Sequence, residues 1–175
     1  MTALPAPRNG TDYRIAVVCT GNICRSPTAD VVLHALLADE GLDRQVAVDS
    51  SGLGGWHVGD RMDPRSARHL REAGYDPSRH RARQIAPGWP SAYDLVLAMD
   101  HTHLRDLRAQ ARRAGASAEE LDRVRLFGDF DPVEPGSEVP DPYYGGDQDF
   151  EEVLTMVERT GRAIVAALRQ GLASQ

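Results

Sequence analysis

Cys19 and Arg25 are separated by five residues in the segment Val18-Cys19-Thr20-Gly21-Asn22-Ile23-Cys24-Arg25-Ser26-Pro27. A cysteine thiolate is a strong nucleophile, and an arginine fork matches two phosphate oxygens. The spacing alone is weak, because arginine is common in this chain and chance supplies such pairs. The context sharpens it. Arg14-Ile15-Ala16-Val17-Val18 is a short β-branched run that reads as a buried parallel strand. Ser26-Pro27 is a good helix entry. Gly21 and Asn22 tolerate left-handed backbone angles. A loop so placed can turn several backbone N–H groups inward at a helix N-terminus, which is an anion site. A helix dipole contributes at most about 2 kcal/mol to holding a negative charge. The inward amides, Arg25 and a hydroxyl such as Ser26 would have to share the work for a thiolate. The alternative is that Cys19 ends a buried strand and is inert.

The elements that must position this loop follow from hydrophobic periodicity. Val31, Val32, Leu36 and Leu37 continue the first helix towards Gly41. Strands are expected at Val46–Ser50 and Asp94–Met99, with a short one, near an edge, at Val124–Phe127. Helices are expected from Asp63-Pro64 to Gly74, from His101 to Ala114, and from about Gln148 to Leu168. Strands alternating with helices imply an α/β fold with a parallel sheet and helices on both faces. In such sheets ligands sit at the carboxyl ends of strands, near the switch point. Residues 130–146 form a long loop with four prolines, unusual in length without a function. It carries Asp141-Pro142-Tyr143-Tyr144. Plain turn chemistry accounts for Asp-Pro; beside an anion cradle, Asp141 is also a candidate acid.

The 175 residues fit one domain, at 13–170, preceded by a flexible tail at 1–12. A net charge of -6 argues against nucleic-acid partners. No apolar run approaches the roughly 20 residues of a membrane span. No charged start leads into an apolar stretch, so no secretory signal is expected. Two cysteines lying close together fit a reducing compartment, and the expected location is the cytoplasm. The chain contains no lysine, which excludes the nucleotide-binding loop that needs one. His101 and His103 do not share a helix face. His34, His57, His69 and His80 show no ligand spacing, so no metal is expected.

These residues resemble the low-molecular-weight protein tyrosine phosphatases. Cys19 to Pro27 matches that family's phosphate loop throughout, and Asp141-Pro142-Tyr143-Tyr144-Gly145 its acid loop. Between them, Asp49-Ser50, Trp56-His57-Val58-Gly59, Asp63-Pro64-Arg65, Arg81-Ala82-Arg83-Gln84 and Met99-Asp100 recur in the expected order. The resemblance covers about Tyr13 to Leu168 and implies a single-domain four-stranded parallel sheet flanked by helices.

It also implies hydrolysis of protein phosphotyrosine through a cysteinyl-phosphate, releasing inorganic phosphate, with no cofactor. In that scheme Cys19 attacks phosphorus. Arg25 and the amides of Thr20, Gly21, Asn22, Ile23, Cys24, Arg25 and Ser26 hold the oxygens. Asp141 serves as general acid, then base. Asn22, Ser50 and His80 would support the loop, and Ile23, Trp56, Tyr143 and Tyr144 would form the substrate cleft. Independently of the resemblance, Cys24 is a candidate redox partner for Cys19, or else a small core residue. Phosphotyrosine-containing proteins are the expected partners, with no membrane and no nucleic acid.

Two other readings stay open. Protein arginine phosphatases resemble this family but carry threonine where Ile23 stands. A non-catalytic phosphopeptide-binding module would need neither nucleophile nor acid.

Overall fold

The computed structural model describes residues 2–10 and 12–174. Four parallel strands are ordered β2-β1-β3-β4: β1 Tyr13–Cys19, β2 Val46–Gly52, β3 Leu95–Ala98 and β4 Val124–Leu126. The helices are α1 Arg25–Asp39, α2 Pro64–Glu72, α3 His101–Arg113, α4 Ala118–Asp122 and α5 Asp147–Ala173. A 3₁₀ turn spans Trp89–Ser91.

β1 is an inner strand, buried along both faces beyond Arg14. The pleat sends Tyr13, Ile15, Val17 and Cys19 into one core with α1, α2 and α5. Ala16 and Val18 enter a second core with Leu107 and Ala111 of α3. The expected helices on both faces are therefore present. The chain leaves β1 towards β2 on one side and later returns to β3 on the other. The switch point thus falls at the carboxyl end of β1. The register Val18↔Ala98 brings the loops after β1 and β3 side by side there.

Several elements differ from expectation: β2 runs past Ser50 to Gly52, and the 3₁₀ turn was not expected. α4 was not anticipated; its Ser117 cap and Glu120 form a capping box, but it buries no residue and so shows no apolar period. β4 ends at Leu126, and Phe127 enters a turn. α5 runs on to Ala173, and Leu172, four residues after Leu168, continues its apolar stripe and packs against the core.

Residues 2–8, expected from composition to be a flexible tail, lie along the domain and hydrogen-bond to it. The Arg8 amide donates to Asp94 Oδ1 at 2.7 Å, and its guanidinium reaches the Tyr93 and Pro90 carbonyls. Buried Arg123 donates to the Ala6 carbonyl at 2.9 Å. Among the described residues, no helix is long and apolar enough to cross a membrane.

Candidate active site

The loop from Thr20 to Cys24 joins β1 to α1. Pro27 falls in the first turn of α1, where a missing N–H costs nothing. Cys24, at the N-cap, makes no side-chain cap. The backbone N–H groups of Gly21 to Ser26 find no acceptor among the described residues. They remain available to an anion at the helix N-terminus.

Asn22 shapes the curl. It has φ 59°, the one positive φ outside glycine among the described residues. Its side chain is fully buried, donating to Ser26 Oγ at 2.9 Å and accepting from the Arg83 amide at 3.0 Å. His80 Nε2 meets the Asn22 carbonyl at 2.8 Å. Burial holds the His80 imidazole below its ordinary pKa, against the pull of that carbonyl, so the ring is neutral and donates.

Ser50 is a correction. Its hydroxyl donates to Asp30 Oδ2 at 3.3 Å and does not touch the loop. Ser50 sits opposite Val17, whose side chain faces the α1 side of the sheet, and the pleat turns it the same way. Ser50 contributes only its carbonyl, which accepts from Arg83 Nε at 2.9 Å.

Cys19 Sγ lies 2.9 Å from Ser26 Oγ. Both cysteines are free and buried. Burial, with Asp63 nearby, pushes the Cys24 thiol up to about 12. Arg25 is buried to 4% exposure, with Nη1 2.8 Å from Asp100 Oδ2 and Nη2 3.6 Å from Asp141 Oδ2. Burial alone would raise the Asp100 carboxyl. The His103 amide and the Arg25 guanidinium outweigh it and hold it below the usual carboxylate range.

A pocket of about 270 Å³ opens above Cys19. It is lined by Thr20, Gly21, Ile23, Cys24 and Arg25 at its base and by Trp56, His57, Asp141, Tyr143 and Tyr144 at its mouth. Trp56 is 76% exposed and rests against Gly54, where a Cβ would lie 1.8 Å from its ring. Tyr143 and Tyr144 meet edge to face at 5.0 Å. The Asp141 loop is tied to α2: Arg65 grips Asp63 with two nitrogens and donates to the Tyr143 carbonyl at 2.9 Å. Asp63 in turn donates its amide to the Ile23 carbonyl at 2.8 Å.

Apart from Ser50, every site residue expected from the sequence lines this pocket or supports its loop. Sequence reasoning gave no role to Asp100, His103, Arg83, Arg65 or His57. Asp100 had a readable signal, as an N-cap aspartate before a helix. His57, Arg65 and Arg83 lie in the recurring segments quoted above, which carried no role for them, and His103 reaches the site only through the topology.

A parallel α/β sheet with a thiol at the floor of an arginine-bearing anion cradle defines a class of phosphate-handling folds. The sequence profile of the low molecular weight phosphotyrosine protein phosphatases matches residues 14–174. The chain belongs to that family. A low molecular weight protein-tyrosine-phosphatase from Streptomyces coelicolor is 46% identical, over 90% of this chain and 94% of its own length. The crystal structure of a protein tyrosine phosphatase from Entamoeba histolytica superposes with a TM-score of 0.83 at 27% identity, covering 91% of this chain and 99% of that one. The YwlE arginine phosphatase, as a cysteine-to-serine mutant with a phosphorylated active-site serine, superposes with a TM-score of 0.78 at 26% identity, covering 90% of this chain and 96% of that one.

Proposed function

We propose that this chain hydrolyses O-phosphotyrosine in proteins through a cysteinyl-phosphate intermediate. The observation that carries the reading is the placement of Cys19 Sγ beneath unspent loop amides. It lies 2.9 Å from a hydroxyl, with Arg25 and Asp141 3.6 Å apart at the pocket. Cys19 attacks phosphorus, forming the S–P bond as the P–O bond to the aryl group breaks. Asp141 gives its proton to the departing phenolate. Asp141 then takes a proton from water, which attacks phosphorus, breaks the S–P bond and releases inorganic phosphate. Arg25 and the amides from Thr20 to Ser26 hold the equatorial oxygens throughout, which is the electrostatic part of the catalysis. Trp56, Tyr143 and Tyr144 line the same pocket as Cys19 and Arg25 and would grip a phosphorylated aromatic ring, with apolar Ile23 also in the lining.

Dephosphorylation of phosphoarginine is the second reading, favoured by the likeness to the arginine phosphatase structure. That relative is a cysteine-to-serine mutant with a phosphorylated active-site serine, which also supports a covalent phospho-enzyme here. Cys24 is proposed as a resolving thiol. Peroxide would oxidise the Cys19 thiolate to a sulfenic acid, and Cys24 sulfur would attack it, expelling water and closing a disulfide.

The test is phosphate release from matched phosphotyrosine and phosphoarginine peptides in chelator, with wild type beside Cys19→Ser. Rapid release from phosphotyrosine, abolished by the substitution, is expected. Preference for phosphoarginine would keep the mechanism and overturn the substrate. Binding of both peptides without release from either would leave a phosphopeptide-binding module.

A further inference from the structure

Thr20 follows Cys19 at one end of the cradle, and Arg25 closes the other. Both are held by the first turn of α3. His103 is buried to 3% exposure, and its Nε2 lies 2.7 Å from Thr20 Oγ1. Its Nδ1 makes no aligned hydrogen bond and lies 3.2 Å from Asp100 Oδ1. The other oxygen of Asp100 accepts from Arg25 at 2.8 Å. Asp100 is also the cap of α3, accepting from the His103 amide at 2.8 Å. A path of polar contacts therefore runs Thr20–His103–Asp100–Arg25, in which the His103–Asp100 step is a hydrogen bond from the His103 amide beside the 3.2 Å approach of Nδ1. On the opposite side the Thr20 carbonyl accepts from the Gly54 amide at 3.0 Å, so Thr20 is gripped between the β2 and β3 sides of the site.

The charges around His103 bear on whether its ring is charged. Burial holds the imidazole below its ordinary pKa. Asp100, Asp106 and Asp141 pull the other way, and Arg25 reinforces burial. The neutral ring has one N–H to place. With it on Nδ1, 3.2 Å from Asp100 Oδ1, Nε2 accepts from the Thr20 hydroxyl; with it on Nε2, the imidazole donates to Thr20 Oγ1.

We infer that His103 is a positioning residue of this site: through the Thr20 hydroxyl and the Asp100 carboxylate, one imidazole fixes both ends of the phosphate cradle relative to each other. It touches no substrate and acts through Thr20 and Arg25. The inference rests on the phosphatase reading above for its effect on turnover, but not for its effect on anion binding.

The experiment is a double-mutant cycle in the full chain: Thr20→Val, His103→Ala and the pair, with His103→Gln as the conservative variant. Inorganic phosphate binding is measured by calorimetry, kcat and KM on a phosphotyrosine peptide, and Tm on every variant. Each single substitution should weaken phosphate binding and lower kcat/KM by about tenfold, the scale of one buried hydrogen bond in a network. The pair should lose little more than either alone. His103→Gln, whose amide oxygen can take the Thr20 proton, should regain most of the loss. Additive losses, unchanged phosphate affinity, or a His103→Gln defect equal to that of alanine would overturn the inference. Phosphate binding by a wild type that turns over no peptide would overturn the catalytic reading alone, and the calorimetric cycle would still decide the role of His103.

Discussion

Ser26 Oγ stands 2.9 Å from Cys19 Sγ while it accepts a hydrogen bond from Asn22 Nδ2, also at 2.9 Å. With the Asn22 amide supplying a proton, Ser26 has one O–H left. Its two possible acceptors are the sulfur and the Ser51 carbonyl at 3.4 Å. The shorter contact is to sulfur, and a thiolate would take that proton. Ser26→Ala removes a charge-assisted bond worth about 1.5–3 kcal/mol, so kcat/KM should fall by about tenfold to a hundredfold. Steady-state kinetics on a phosphotyrosine peptide, with Tm in parallel, checks this. Unchanged kinetics would mean that Ser26 only fills space.

Asn22 combines a left-handed backbone with two buried hydrogen bonds, and the two contributions separate by substitution. Asn22→Gly keeps the backbone and loses the bonds, at about 2 kcal/mol. Asn22→Ala also pays left-handed strain of about 1 kcal/mol more. Urea unfolding should therefore rank wild type above Asn22→Gly, and Asn22→Ala lowest. The reverse order of the two variants would show that the φ of 59° carries no cost.

The cradle was legible because Cys19 to Ser26 is contiguous: strand, loop chemistry and helix entry can be read without tertiary structure. Its braces were not. Asp100, His103 and Arg83 arrive from distant elements, and only the order β2-β1-β3-β4 places them beside the loop. Ser50 failed for a related reason. Its proximity to the site follows from strand pairing, but its direction depends on the pleat, which turned it towards Asp30. Elements with a buried stripe, such as α1 and β1, were readable. α4 buries nothing, and its capping box was the one available signal.

Asp131 lies near the start of the loop that carries Asp141 and ties it to α5. Its side chain is fully buried, accepting from Arg159 Nε at 2.9 Å and Nη2 at 2.7 Å and from the Val133 amide at 2.9 Å. Burial alone would raise this carboxyl; the Arg159 and backbone donors outweigh it and hold it below the usual range. A depressed folded-state value means the stabilisation is present above the unfolded carboxylate pKa of about 3.9 and is lost as pH falls through the folded value. Asp131→Asn should cost about 2 kcal/mol at neutral pH, less than a fully buried pair because Arg159 is partly exposed. The gap from wild type in urea unfolding should close as pH falls below about 4. A gap constant with pH would assign the loss to shape rather than charge.

Asp141 sits at the pocket mouth with its carboxylate half exposed, accepting from the Tyr143 amide at 3.2 Å. Arg65 holds the same loop from outside through the Tyr143 carbonyl, so the carboxylate can be altered without freeing the loop. If Asp141 protonates the leaving oxygen, its value must grow with the basicity of that oxygen. Asp141→Asn should therefore slow phenyl phosphate strongly, by about a hundredfold or more, and p-nitrophenyl phosphate much less, because p-nitrophenolate departs without a proton. Single-turnover rates on the two substrates isolate that first step from hydrolysis of the intermediate. Equal slowing of both would remove Asp141 from proton transfer and leave it a partner for Arg25 alone.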